Sequence, residues 1–106
     1  IALHYSPFLP RSGWARDNMV LHNGEAFVQL VGRYRDRVRL VVSGHLHDAS
    51  VTVRHGVPFL SAGALSWQYR WEDSYDEPAP MTSVPGVFHV VRYRSEEVRI
   101  YDRIVE

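Results

Sequence analysis

A chain of 106 residues has the length of one small domain and can bury about two-thirds of the surface its unfolded form exposes. Its hydrophobic content of 45% and charged content of 23% are those of a soluble globular protein, and no apolar run approaches the roughly 20 residues needed to cross a bilayer. The formal charge is zero and cysteine is absent, which argues against nucleic-acid binding by bulk electrostatics and excludes disulfides and thiolate metal sites.

The opening "IALHYS" alternates and is rich in strand formers, so residues 1–5 are predicted as a strand ending at Ser6-Pro7, with His4 at its carboxyl end. Residues 7–23 carry two prolines and few periodic apolar positions, the pattern of a long loop with a short helical turn around 14–21. Asn23 is a suitable cap for a helix whose apolar stripe would be Phe27, Leu30, Val31 and Tyr34, spaced at i, i+3, i+4 and i+7. "VRLVVS", residues 38–43, is a continuous apolar run of the kind buried on both faces of a parallel sheet, so the helix is read as a strand-to-strand crossover. Residues 51–54 and 57–64 follow as strands turning at His55-Gly56, and residues 87–94 and 97–105 as a hairpin turning at Ser95-Glu96. The expected class is α/β: a strand–helix–strand unit followed by mostly antiparallel strands.

Without thiols, any transition metal must be held by histidine and carboxylate. In open α/β sheets the ligand site lies beyond the carboxyl ends of parallel strands, and His4, His45 and His47 all fall at such ends. Gly44 ahead of the pair is expected to let the backbone turn sharply, so that His45 and His47 aim at neighbouring points.

The apolar strand followed by Gly44-His45-Leu46-His47, preceded about forty residues earlier by a strand ending "LHYSP", resembles the carboxyl-terminal half of a calcineurin-like metallophosphoesterase. The likeness extends over most of the chain, through "GVPFLSAGALS" to "PGVFHVVRY". It implies that residues 1–106 are one segment, the carboxyl-terminal half of a four-layer α/β/β/α sandwich, and that the opening without methionine marks a piece of a longer protein. It also implies phosphoester hydrolysis, of a diester or monoester, at a dinuclear centre of Mn, Fe or Zn. In that scheme His4 and His45 bind one metal and His47 the other, and metal coordination lowers the pKa of water to about 7. Many members carry a second histidine where this chain has Tyr5, so Tyr5 is given a place in the pocket and no metal. The Asp-x-His, Gly-Asp-x-x-Asp and Gly-Asn-His motifs of the family's amino-terminal half do not occur here. Three histidines leave two ions short of ligands, so the expected partner is an amino-terminal half of the same protein, and the isolated chain is expected to be inactive. The face meant for that half should expose apolar surface.

Arg11, Trp14 and Arg16, in the loop after the first strand, are candidates for meeting substrate, an arginine being able to take a phosphate through two hydrogen bonds. Trp67, Tyr69 and Trp71 alternate and are read as one core-packing face of an extended segment, with a substrate-facing wall as the lesser reading. His22, His55 and His89 are read as structural or exposed, and the acidic stretch Glu72, Asp73, Asp76 and Glu77 as a solvated loop. Asp48 directly after His47 does not match the metallo-β-lactamase spacing, and the absence of lysine does not match an amidohydrolase. The rival reading is a non-catalytic binding module whose histidines are incidental or hold one structural zinc. The substrate and the localisation are not legible in this segment.

Overall fold

The computed structural model describes residues 1–8, 13–70, 79–81 and 83–105. Its elements in chain order are α1 (Gly13–Asn18), α2 (Gly24–Arg33), β1 (Val41–Ser43), β2 (Ser50–Arg54), β3 (Val57–Ser61), β4 (Gln68–Arg70), β5 (Ala79–Met81), β6 (Val87–Arg94) and β7 (Glu97–Ile104). The architecture is mixed α/β. No helix among the described residues is long and apolar enough to cross a membrane.

The central sheet runs β1-β3-β2, with β3 parallel to β1 and antiparallel to β2. Residues 1–4 lie parallel on the free edge of β1, bonded from the Leu3 amide to the Val42 carbonyl at 3.0 Å and from the Val42 amide to the Ile1 carbonyl at 2.9 Å. That edge forms one isolated bridge, Ala2 to Val42, rather than the full strand expected for residues 1–5. The crossover is nonetheless as the apolar pattern implies: extended segment, α2, parallel β1. The β2–β3 turn has positive φ at both central residues, 53° at His55 and 79° at Gly56, the backbone that a two-residue hairpin of right-twisted strands requires. The final hairpin pairs Val87 with Ile104 through to Arg94 with Glu97, as its alternation predicts.

The core forms where α2 lies on this sheet. Val28 and Val31 meet Val41 of β1 and Val57 and Phe59 of β3, and Leu3, Phe8, Phe27 and Val38 close its rim. Each buried valine or phenylalanine contributes about 1.5–3 kcal/mol relative to an exposed one. The inward stripe differs from the predicted one, since Leu30 and Tyr34 are 46% and 53% exposed while Val28 is fully buried. Gly24 supplies the reason: a Cβ there would lie 2.1 Å from the Pro7 carbonyl oxygen. The missing side chain lets the helix start close against that backbone, which turns positions 24, 28 and 31 toward the sheet. Asn23 makes no side-chain cap, contrary to expectation; its carbonyl accepts from the Phe27 amide at 3.2 Å.

Two further ribbons stand apart from the central sheet, β4 with β5 and β6 with β7. The second is tied back at its base. The Val87 amide donates to the Ala64 carbonyl at 2.8 Å, and the Gly63 amide donates to Nε2 of His89 at 3.2 Å.

Candidate functional site

Parallel pairing of residues 1–4 with β1 puts two carboxyl ends side by side, and the Gly44 amide closes the register by donating to the His4 carbonyl at 3.0 Å. Beyond that bond the His4 and His45 rings face each other, Nε2 of His4 lying 2.9 Å from Nδ1 of His45. The Tyr5 ring sits edge-on to both, its centroid 5.2 Å from that of His4 and 4.6 Å from that of His45. Burial, then the charges of His4 and His47, hold the His45 imidazole below its ordinary value. The shift favours the neutral imidazole, which has a lone pair to offer.

The sharp turn through this segment is not made by Gly44, whose φ is not positive. It is made by the histidines, with φ of 67° at His45 and 48° at His47, in the left-handed region that histidine enters more readily than most residues. Leu46 between them is buried, so the two imidazoles diverge around an inward anchor. His47 turns away from the His4–His45 pair into an aromatic slot, its ring centroid 5.4 Å from that of Trp67 and 5.2 Å from that of Tyr69. Its Nδ1 lies 3.0 Å from the Trp67 carbonyl oxygen. A carbonyl can only accept, so Nδ1 carries the proton and Nε2 keeps its lone pair, the arrangement that second-shell carbonyls impose on metal-binding histidines. Trp67 and Tyr69 therefore wall the site and do not pack into the core as expected, because β4 pairs with β5 instead of joining the central sheet. Beside His47, burial raises the Asp48 carboxyl against the downward pull of its hydrogen bond with Ser50.

Of the candidates for substrate contact, Tyr5 is in the cluster, Trp14 is half-buried on α1, and Arg16 is exposed on α1. Arg11 lies outside the described residues, as do Trp71 and the acidic stretch 72–77. The α1 residue that comes near the cluster is Asn18. With Tyr5, Val20, Leu21, His22 and Asn23 it lines an open depression of about 360 Å³. His55 packs against α2 at Gly32, in keeping with a structural role. His89 is more constrained than its sequence context suggested, since its Nδ1 lies 2.7 Å from Asp102 Oδ1 across the hairpin while Nε2 takes the Gly63 amide.

The donor set can be tested against a divalent ion. Two imidazole nitrogens each about 2.0–2.1 Å from a tetrahedral ion lie roughly 3.3 Å apart. The 2.9 Å between His4 and His45 needs to open by only a few tenths of an ångström, so this pair fits one ion. Among the described residues no group of three or more histidine, cysteine or carboxylate side chains is arranged to hold a metal, so neither position is complete within them.

No family model matches the chain. A curated relative does. The chain is 33% identical over 70 residues to a 3′,5′-cyclic-nucleotide phosphodiesterase of Nostoc, a match covering 66% of this chain and 26% of that protein. The chain thus spans about a quarter of the length of the curated relative it matches. Among solved structures it is similar to Vacuolar Protein Sorting 29 from Cryptosporidium parvum, at 17% identity and a TM-score of 0.35, over 76% of this chain and 43% of that one. A TM-score at that level does not assign the fold.

Proposed function

We propose that this chain is part of a metal-dependent phosphodiesterase, in which His4 and His45 hold one divalent ion and His47 holds a second, the ions being Mn, Fe or Zn. The observation that carries the reading is the 2.9 Å approach of two imidazoles from distant parts of the chain, where parallel strands end. The curated relative, whose name describes hydrolysis of a cyclic phosphodiester, supports a diester over a monoester. The carboxylate and amide ligands absent from the His4–His45–His47 cluster come from an amino-terminal half of the same protein, as the resemblance to metallophosphoesterases implies.

When bound, the ions supply positive charge against the phosphoryl oxygens and a nucleophile at neutral pH. The residues of this chain orient and protect. The Trp67 carbonyl keeps the His47 proton on Nδ1, so Nε2 is the ligating atom. The lowered pKa of His45 favours the unprotonated ring that can bind a metal. The Tyr5 ring covers one side of the His4–His45 pair and carries a hydroxyl that can donate to a substrate oxygen. Arg11 and Arg16 are assigned to the phosphate and Trp14 to the leaving group.

The test is hydrolysis of a 3′,5′-cyclic nucleotide and of an aryl phosphodiester by the full-length protein, with and without added Mn. Metal-dependent turnover that His47→Ala and His45→Ala each reduce by about 100-fold or more supports the reading. Turnover indifferent to chelator, or to both substitutions, removes it. The direct His4–His45 contact, which needs no ion between the rings, suits a second reading, a non-catalytic module in which the histidines are incidental or hold one structural zinc. That reading predicts no hydrolysis by the full-length protein under any metal.

A further inference from the structure

The zero net charge of the chain conceals a segregation that the β6–β7 register exposes. Residues directly opposite across a ladder share a face, as do residues two apart along a strand. One face of this ribbon therefore carries Phe88, Arg92, Arg94, Arg99, Tyr101 and Arg103, with Glu97 as its one carboxylate among the described strand residues. Glu97 is paired with Arg99. All four arginines are exposed, and Phe88 is 45% exposed.

Two features are hard to account for as ornament. Arg92 stands directly opposite Arg99, and Glu97, which pairs with Arg99, offsets only one of these two charges. The guanidinium groups of Arg92 and Arg103 both lie over the Tyr101 ring, 5.6 and 5.4 Å from its centroid, which restrains both side chains on this face. The result is a stripe of cations from Arg94 to Arg103, roughly 20 Å long at about 3.4 Å per residue, with Val90 between them and an exposed aromatic ring, Phe88, at one end.

We propose that this arginine-bearing face of the β6–β7 ribbon is a docking surface for single-stranded nucleic acid. The length of the stripe suits a chain of phosphates better than a single phosphorylated side chain. Exposed Phe88 suits base stacking, which a duplex does not offer. Arginine serves both contacts, since its planar group takes phosphate through two hydrogen bonds and stacks on rings.

The experiment is fluorescence anisotropy of labelled single-stranded DNA and RNA oligonucleotides of about 12 nucleotides with the 106-residue chain, across a salt series and with chelator present so that hydrolysis plays no part. Three phosphate contacts, from Arg92, Arg94 and Arg103, predict a slope of log K against log salt of about −2, and Arg92→Gln with Arg103→Gln should weaken binding by at least about 10-fold and flatten the slope by about 1.4. The same double variant should keep the far-ultraviolet circular dichroism spectrum of the parent chain, the lost Tyr101 contacts lying on an exposed face; a binding loss caused by misfolding would change the spectrum. No binding at low salt, binding unchanged in the variant, or preferential binding to duplex DNA or to phosphatidylserine vesicles would each overturn the proposal.

Discussion

Nε2 of His4 and Nδ1 of His45 lie 2.9 Å apart although 41 residues separate them in the chain. Two imidazoles at that distance can share one proton between them, but a second proton places like charges in contact. Their meeting follows from parallel pairing of residues 1–4 with β1, and it makes the candidate site sensitive to acid.

The first prediction concerns that acid limb. The folded-state pKa of His45 lies below its ordinary value, so the folded chain binds a proton there less readily than the unfolded one. The stability this represents is present above the unfolded value and is lost as pH falls through and below it. Urea midpoints measured from about pH 8 to about pH 5 should fall toward acid, and His45→Gln should make that fall shallower. Identical curves for the two proteins would show that His45 is not the group responsible.

Metal binding should divide the three histidines. With Co²⁺ as a spectroscopic probe, His4→Ala and His45→Ala should weaken the same binding event, each by about 10-fold or more, and the double variant should lose little beyond either single one. Fully additive losses would mean that the two rings do not share an ion.

Gly24→Ala should be costly for a helix position. The new methyl would lie 2.1 Å from the Pro7 carbonyl oxygen, and backbone cannot rotate away as a side chain does. An alanine in a helix ordinarily gains about 1 kcal/mol over glycine, so a loss of roughly 2 kcal/mol or more in denaturant unfolding would identify the clash. Because residues 5–8 must move to relieve it, the variant should also bind metal more weakly.

Ser61→Ala should stabilise the chain. The Ser61 hydroxyl is buried and has no hydrogen-bond partner among the described residues, and an unsatisfied buried polar group costs about 1–3 kcal/mol. A gain of about 1 kcal/mol, read as a rise of a few degrees in Tm, is expected.

The His89 clamp should be stronger at its buried end. His89→Ala removes a 5%-exposed side chain and orphans the Gly63 amide, whereas Asp102→Ala removes a 70%-exposed carboxylate. The first should cost about 2 kcal/mol or more and the second about 1 kcal/mol or less, measured by urea unfolding.

What the sequence determined by itself was local. Turn chemistry placed the His55-Gly56 hairpin and the Ser95-Glu96 hairpin, because positive φ and alternation are written in consecutive residues. Chain order put His4, His45 and His47 at strand ends, and the absence of thiols limited any metal to nitrogen and oxygen donors. Tertiary structure decided the rest. Which stripe of α2 faces inward depended on the close approach of Gly24 to Pro7, a contact that helical periodicity does not encode. The turn expected of Gly44 was taken by His45 and His47, and the Trp67 carbonyl that orients His47 came from a strand pairing outside the central sheet. Composition gave a charge of zero, while the contacts of Arg92 and Arg103 with the Tyr101 ring came only with the folded hairpin. Periodicity and turn preference act over a few bonds, whereas partners and faces are chosen by whichever distant segment packs alongside.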